Sequence, residues 1–204
     1  LQRNRLKFLP LGISKCTQME YLNLRHNLFE DLPEVCANLK HLQILKLCLN
    51  PMTTLPSCVQ YLTSLRELYI HDSRSFSLSN LIEGCKELEI LSLRRTQVRS
   101  LPHSLTKLPH LRKLDVQKTY LTVIPDWMKD LTQLQQLDWS GNYLSGLPDW
   151  IGELSNLHTL DLWQTSLKNV PQRFGELYNL KNLDFWGCRF TKIPESIMKL
   201  TNLE

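Results

Sequence analysis

Residues 134–156 read LQQLDWSGNYLSGLPDWIGELSN, and the spacing of their apolar residues decides how the chain folds. Leu137 and Trp139 are two apart, so in a strand they point to one face while Asp138 points to the other. Asn142 follows, with a side chain that both donates and accepts hydrogen bonds to backbone groups left unpaired where the strand ends. Pro148, with its preset φ and no N–H, suits the first position of a short helix, and Asp149 behind it complements that helix's positive end. Ile151 and Leu154 then return to the core, so the stretch predicts one strand and one return segment.

The same phrase recurs at a fixed step. Its opening leucine or methionine stands at Met19, Leu42, Leu65, Leu88, Leu111, Leu134, Leu157, Leu180 and Leu203, always 23 residues apart. Eight full units occupy residues 19–202. Residues 1–18 supply the rear of another, with Asn4, Leu6, Leu9, Pro10 and Ile13 in register, and residues 203–204 open a further one. A single unit has too few apolar side chains to offset its ordering entropy, so the units must stack and bury one another's flanks. Residues 1–204 are therefore expected to form one solenoid domain, an α/β fold with a curved parallel sheet on the concave side and short helices or turns on the convex side. Because an uncapped end unit exposes apolar surface, the sequence is expected to be a segment of a longer protein.

The Leu-Pro-x-x-Ile/Leu-x-x-Leu ending appears as LPEVCANL (32–39), LPSCVQYL (55–62), LPHSLTKL (101–108), LPDWIGEL (147–154) and IPESIMKL (193–200). On these motifs essentially the whole chain resembles the intracellular 23-residue class of leucine-rich-repeat proteins. That class includes Ras-group scaffolds, Scribble-type polarity proteins and the sensor arrays of nucleotide-binding immune receptors. TQVRSLP and TSLKNVP look more like the immune-receptor arrays, RHNLFEDLP like the scaffolds. The resemblance implies protein recognition through the concave sheet.

Composition narrows the function classes. A formal charge of +4 on 204 residues, with the basic excess confined to residues 1–102, is too weak to imply nucleic acid. No apolar run reaches the length of a membrane span. Cys16, Cys36, Cys48, Cys58, Cys85 and Cys188 form no C-x-x-C pair, and no N-x-[ST] sequon is present, which together point to a reducing, cytoplasmic setting. There is no P-loop, G-x-G-x-x-G, H-E-x-x-H or G-x-S-x-G, so no catalytic residue, cofactor or metal is expected. His26, Cys48, His71 and Asp72 fall on successive strands, but metal sites need second-shell support that the pattern does not supply.

The exposed strand slots form columns across the units. The slot between the two core leucines runs Asn23, Lys46, Tyr69, Ser92, Asp115, Asp138, Asp161, Asp184; two residues on it runs Arg25, Cys48, His71, Arg94, Gln117, Ser140, Trp163, Trp186. Four stacked aspartates repel one another unless a cation relieves them. Neighbouring exposed tryptophans that the core does not need resemble interface anchors. Trp127 and Trp150, by contrast, are expected to pack between return segments, and Trp139 sits in a core slot.

The expected partner-binding residues on the concave face are Arg94, Lys113, Asp115, Lys118, Asp138, Asp161, Trp163, Asp184 and Trp186. The expected function is a non-enzymatic scaffold that binds a protein partner, with no nucleic acid and no membrane insertion; oligomeric state stays open. The alternative is a ligand-sensing or substrate-recruiting array of a larger immune receptor, signalling enzyme or ubiquitin ligase. In the most divergent unit, residues 65–87, Asn80 and Glu83 suggest a capping box and a better-formed outer helix.

Overall fold

The computed structural model describes residues 1–73 and 75–204. Eight three-residue strands form one parallel sheet in chain order: β1 (Tyr21–Asn23), β2 (Ile44–Lys46), β3 (Glu67–Tyr69), β4 (Ile90–Ser92), β5 (Lys113–Asp115), β6 (Gln136–Asp138), β7 (Thr159–Asp161) and β8 (Asn182–Asp184). Leu114 lies opposite Leu137 and Leu137 opposite Leu160. The register therefore steps by one whole unit, and each strand's crossover is the return segment of its own coil. The sheet is curved and unclosed, the solenoid expected from the 23-residue period.

The core is a single stack of leucines. Leu45, Leu68, Leu91, Leu114, Leu137 and Leu160 are fully buried, as are Leu157 and Leu180 at the head of their units. Each contributes roughly 2 kcal/mol by leaving water, and each needs the neighbouring coils to do so. Trp139 is buried completely, in the slot where other units carry leucine, isoleucine, valine or, at Phe185, phenylalanine.

On the outer side, every return segment among the described residues is a five-residue 3-10 helix rather than an α-helix, as at Asp149–Glu153 and Glu195–Lys199. The reason lies in the spacing of the slots. Pro148, Ile151 and Leu154 are three apart, so three residues per turn stack them on one inward face. The Ile151 N–H donates to Pro148 O (3.1 Å), that of Leu154 to Ile151 O (3.2 Å) and that of Leu157 to Leu154 O (2.9 Å). Two local expectations are corrected here. Pro148 is extended (φ −69°, ψ 151°) and precedes the helix, which begins at Asp149. The capping box does not form: Asn80–Gly84 is another five-residue 3-10 helix, preceded by Ser79, and makes no side-chain cap bond.

Between strand and return segment, one slot per coil adopts the left-handed conformation: Arg3, His26, Leu49, Asp72, Arg95, Lys118, Gly141, Gln164 and Gly187. For a non-glycine residue this costs on the order of 1 kcal/mol. From Arg3 to Gln164 the ladder holds it in place, because the amide of each donates to the next coil, as Lys118 N–H does to Ser140 O (2.8 Å) and Gly141 N–H to Trp163 O (2.7 Å).

The next slot carries side chains that lace coils together, most fully where it is asparagine. Asn50 Nδ2 donates to Leu47 O (2.9 Å) in its own coil and Leu24 O (3.0 Å) in the preceding one, and its Oδ1 accepts from Phe29 N–H (3.1 Å). Asn142 likewise bridges Trp139 O (3.0 Å) and Val116 O (2.8 Å). The Thr96 hydroxyl, with one proton, donates within its own coil to Leu93 O (2.7 Å).

Candidate functional site

Strand register sets Asp115, Asp138, Asp161 and Asp184 side by side on the open face of β5 to β8. Part of their presence is local. Oδ1 of Asp115 accepts the Gln117 amide (3.1 Å), that of Asp138 the Ser140 amide (3.0 Å) and that of Asp184 the Trp186 amide (2.7 Å), as Asn23 does for Arg25 (3.0 Å). The side chain thus ends the strand by taking the amide two residues on. Asp138 also accepts the Ser140 hydroxyl.

Asp161 accepts no such bond from the described residues. Burial, and then repulsion from Asp138 and Asp184, push its carboxyl up to about 6, with Lys113 opposing. Burial raises Asp138 as well, against the hydrogen bonds from Ser140. Burial thus favours the protonated form of both carboxyls.

Next to the aspartates stand the two tryptophans. Trp186 is 67% exposed and Trp163 half-buried; their ring centroids are 6.4 Å apart at 54°. Lys118 Nζ lies 4.9 Å from the Trp163 ring centroid. Lys118 reaches that ring across Gly141, where a Cβ would stand 2.6 Å from Lys118 Cγ. The remaining basic residues border the acidic column. Arg94 and Lys113 are half-buried and act on Asp138 and Asp161 respectively, while Arg95 turns to Asp72 at 3.9 Å.

Several residues of this face were not among the expected contacts. Gln117 Nε2 donates to Ser140 Oγ (3.2 Å) and Asp138 Oδ2 (3.4 Å), leaving Oε1 buried without a partner. Gly141 makes room for Lys118; its signal was a glycine at a slot where Lys118 and Gln164 stand in the neighbouring units. Towards β1, Lys46 Nζ sits between the rings of Tyr21 (5.5 Å) and Tyr69 (5.1 Å).

The candidate thiol and imidazole groups are committed elsewhere. The Cys48 thiol is buried, donates to Tyr69 O (3.5 Å), and burial raises its pKa. Ser92 Oγ donates to Asp115 Oδ2 (2.8 Å), so the proton in its contact with His71 Nε2 (2.6 Å) must come from the imidazole. A histidine that donates to a serine cannot deprotonate it, which is the opposite of nucleophile activation. Among the described residues, no three His, Cys, Asp or Glu side chains group closely enough to hold a metal ion.

The other tryptophans are occupied by packing. Trp127 and Trp150 lie half-buried against the core. Trp150 Nε1 donates to Asp126 Oδ1 (3.0 Å) on the preceding return segment, and Trp127 stacks edge-on with His103 at 5.8 Å. Among the described residues no helix is long and apolar enough to cross a membrane.

Comparison with known proteins agrees with this geometry. The leucine rich repeat family profile matches residues 17–74, 86–144 and 111–167, and a second leucine rich repeat profile matches 179–200. Over 59 residues the chain is 37% identical to the mouse (Mus musculus) leucine-rich repeat and calponin homology domain-containing protein 1, a match covering 29% of this chain and 8% of that protein. Among solved structures, a leucine-rich-repeat protein of Leptospira interrogans superposes with a TM-score of 0.90 at 28% identity, covering 100% of this chain and 53% of the other. The leucine-rich-repeat domain of the type III effector XopL gives a TM-score of 0.86 at 26% identity, covering 99% and 73%. The chain thus spans less than a tenth of its curated relative and about half of the Leptospira protein. With profile matches over most of its length and the stacked coils those matches require, the chain belongs to the leucine-rich-repeat family.

Proposed function

We propose that this chain is a non-catalytic scaffold of the intracellular 23-residue class that grips a protein partner on its concave face. The contact residues are Arg94, Lys113, Asp115, Lys118, Asp138, Asp161, Trp163, Asp184 and Trp186. One observation carries this reading: Trp163 and Trp186 stand in the outward slots after β7 and β8 and pack against each other (ring centroids 6.4 Å apart) instead of in the core. A large aromatic surface left in water costs stability and gains a use only when a partner covers it. Leucine-rich repeats serve in general as protein-interaction modules, which supports the same conclusion. Four buried cysteines without disulfides, Cys36, Cys48, Cys58 and Cys85, favour a cytoplasmic setting.

A second reading is favoured by the similarity to XopL, where such repeats are one domain of an effector. Here the same face recruits a substrate or senses a ligand for an attached activity. Both readings place binding on the concave sheet. The test is capture of partners from cell extract by the wild-type chain, by Trp163→Ala/Trp186→Ala, and by a convex control, Tyr178→Ala. Loss of the captured set with the tryptophan pair alone is expected; an unchanged set would remove the site assignment.

A further inference from the structure

Two thiols meet in the core behind the convex side. We propose that Cys36 and Cys58 form a modification site, a buried dithiol that a hydroperoxide closes into a reversible disulfide between the return helices Glu34–Asn38 and Ser57–Tyr61. The inference is independent of where on the molecule a partner binds.

Slot geometry brings the pair together. Cys58 occupies the slot of Trp127, Trp150 and Arg173 in later units. Each of those side chains reaches back to the preceding return helix, Trp127 to His103, Trp150 to Asp126 and Arg173 to Glu153 (2.8 Å). Cys36 occupies the slot of Met128, Ile151 and Phe174, which are fully buried in the core. A thiol there is smaller than those side chains and leaves room for a second sulfur. The two helices pack directly against each other, both cysteines are 1% exposed, and Cys58 donates a hydrogen bond to Cys36. Sulfurs in contact on adjacent coils need only small backbone shifts to bond. Cys48 and Cys85, also buried, donate instead to the carbonyls Tyr69 O (3.5 Å) and Val59 O (3.3 Å).

The bond from Cys58 lowers the Cys36 pKa, against burial and the Asp31 charge, so Cys36 is the sulfur that ionises first and attacks. Its thiolate takes one oxygen of the peroxide: an S–O bond forms and the O–O bond breaks. The leaving hydroxide takes up the proton that the Cys36 thiol gave to solvent and departs as water. The Cys58 sulfur then attacks the sulfenic sulfur, S–S forms, S–O breaks, and the Cys58 proton leaves with the hydroxide as a second water. Two thiols lose two electrons and hydrogen peroxide becomes two waters. An apolar interior favours this neutral product over a charged sulfinate or a metal bis-thiolate. Access comes by local opening of two short 3-10 helices, in which Ser57 and Gln60 are half-buried and Tyr61 is exposed. In a reducing compartment the bond is transient.

The reduced 204-residue chain is treated with hydrogen peroxide, unfolded in maleimide to block the remaining thiols, and digested for tandem mass spectrometry. Peptides linked through Cys36 and Cys58, together two hydrogens lighter than the reduced pair, are expected, while Cys48 and Cys85 take up maleimide. The oxidised chain should melt about 8 °C higher, since the link closes one whole coil, and dithiothreitol should reverse both changes. Cys58→Ser places there the serine that the slot already carries at Ser104 and Ser196; it should stay folded and lose both the link and the shift. Linkage between other cysteines, Cys36 and Cys58 both still open to maleimide, or conversion of wild-type Cys36 to sulfinic acid would each overturn the proposal.

Discussion

Lys118 Nζ lies 4.9 Å from the centroid of the Trp163 ring, two coils further along the stack, and crosses Gly141 to reach it. The contact depends on three slots in different units. Lys118 must be left-handed (φ 52°) to project along the sheet edge, Gly141 must lack a Cβ, and Trp163 must face out.

Gly141→Ala is therefore expected to destabilise the chain by about 1 kcal/mol, from the left-handed backbone and the displaced Lys118 side chain. Urea unfolding measures the loss. In a double-mutant cycle, Lys118→Ala with Trp163→Ala should show a coupling of about 0.5 kcal/mol, in keeping with an exposed cation over a ring. Additive effects would mean that the two side chains do not interact in solution.

Asp161 gives a pH dependence with a definite sign. Its folded pKa of about 6 exceeds the roughly 3.9 of an unfolded aspartate, so the folded state binds the proton more tightly. Its contribution to stability accordingly falls as pH rises from about 4 to about 6 and is lowest above that. The charged groups acting on it are Asp138, Asp184 and Asp115, which raise the pKa, and Lys113, which lowers it. Asp161→Asn should add about 1 kcal/mol at pH 7.5 after allowance for solvent screening, and nothing at pH 4. Thermal melts of both proteins across that range check it; a stability gain that persists at pH 4 would exclude the electrostatic cause.

Removing Asn50 should cost more than removing Thr96, although both occupy one slot. Asn50→Ala leaves carbonyls of two coils and the Phe29 amide unpaired, a loss of about 3 kcal/mol. Thr96→Ala removes one of two bonds to Leu93 O, which keeps the residue 96 amide (3.2 Å), and should cost about 1 kcal/mol. Equal losses in denaturant would show that the asparagine's reach into the neighbouring coil contributes nothing.

Trp139 is fully buried with its Nε1–H unpartnered. Trp139→Phe removes that orphaned donor while leaving a small void, so its stability should lie within about 1 kcal/mol of wild type. Trp139→Ala leaves a large cavity and should cost about 4 kcal/mol. A loss of similar size for both would show that the indole N–H has a partner in solution.

Much of this molecule was legible in its residues. The step of 23, the two-residue alternation around Asp138 and the three-residue spacing of Pro148, Ile151 and Leu154 determined the coil, its inward side and the outward column of aspartates, because all three are periodicities within one unit. The same three-residue spacing suits the 3-10 form that the expected short helices or turns take.

The tertiary structure alone decided what happens between coils. That Asn50 reaches into the preceding coil and that Lys118 passes over Gly141 to Trp163 depend on groups roughly one or two repeats away in sequence. Their distances are set by the stacking of neighbouring coils, and no local pattern records that spacing.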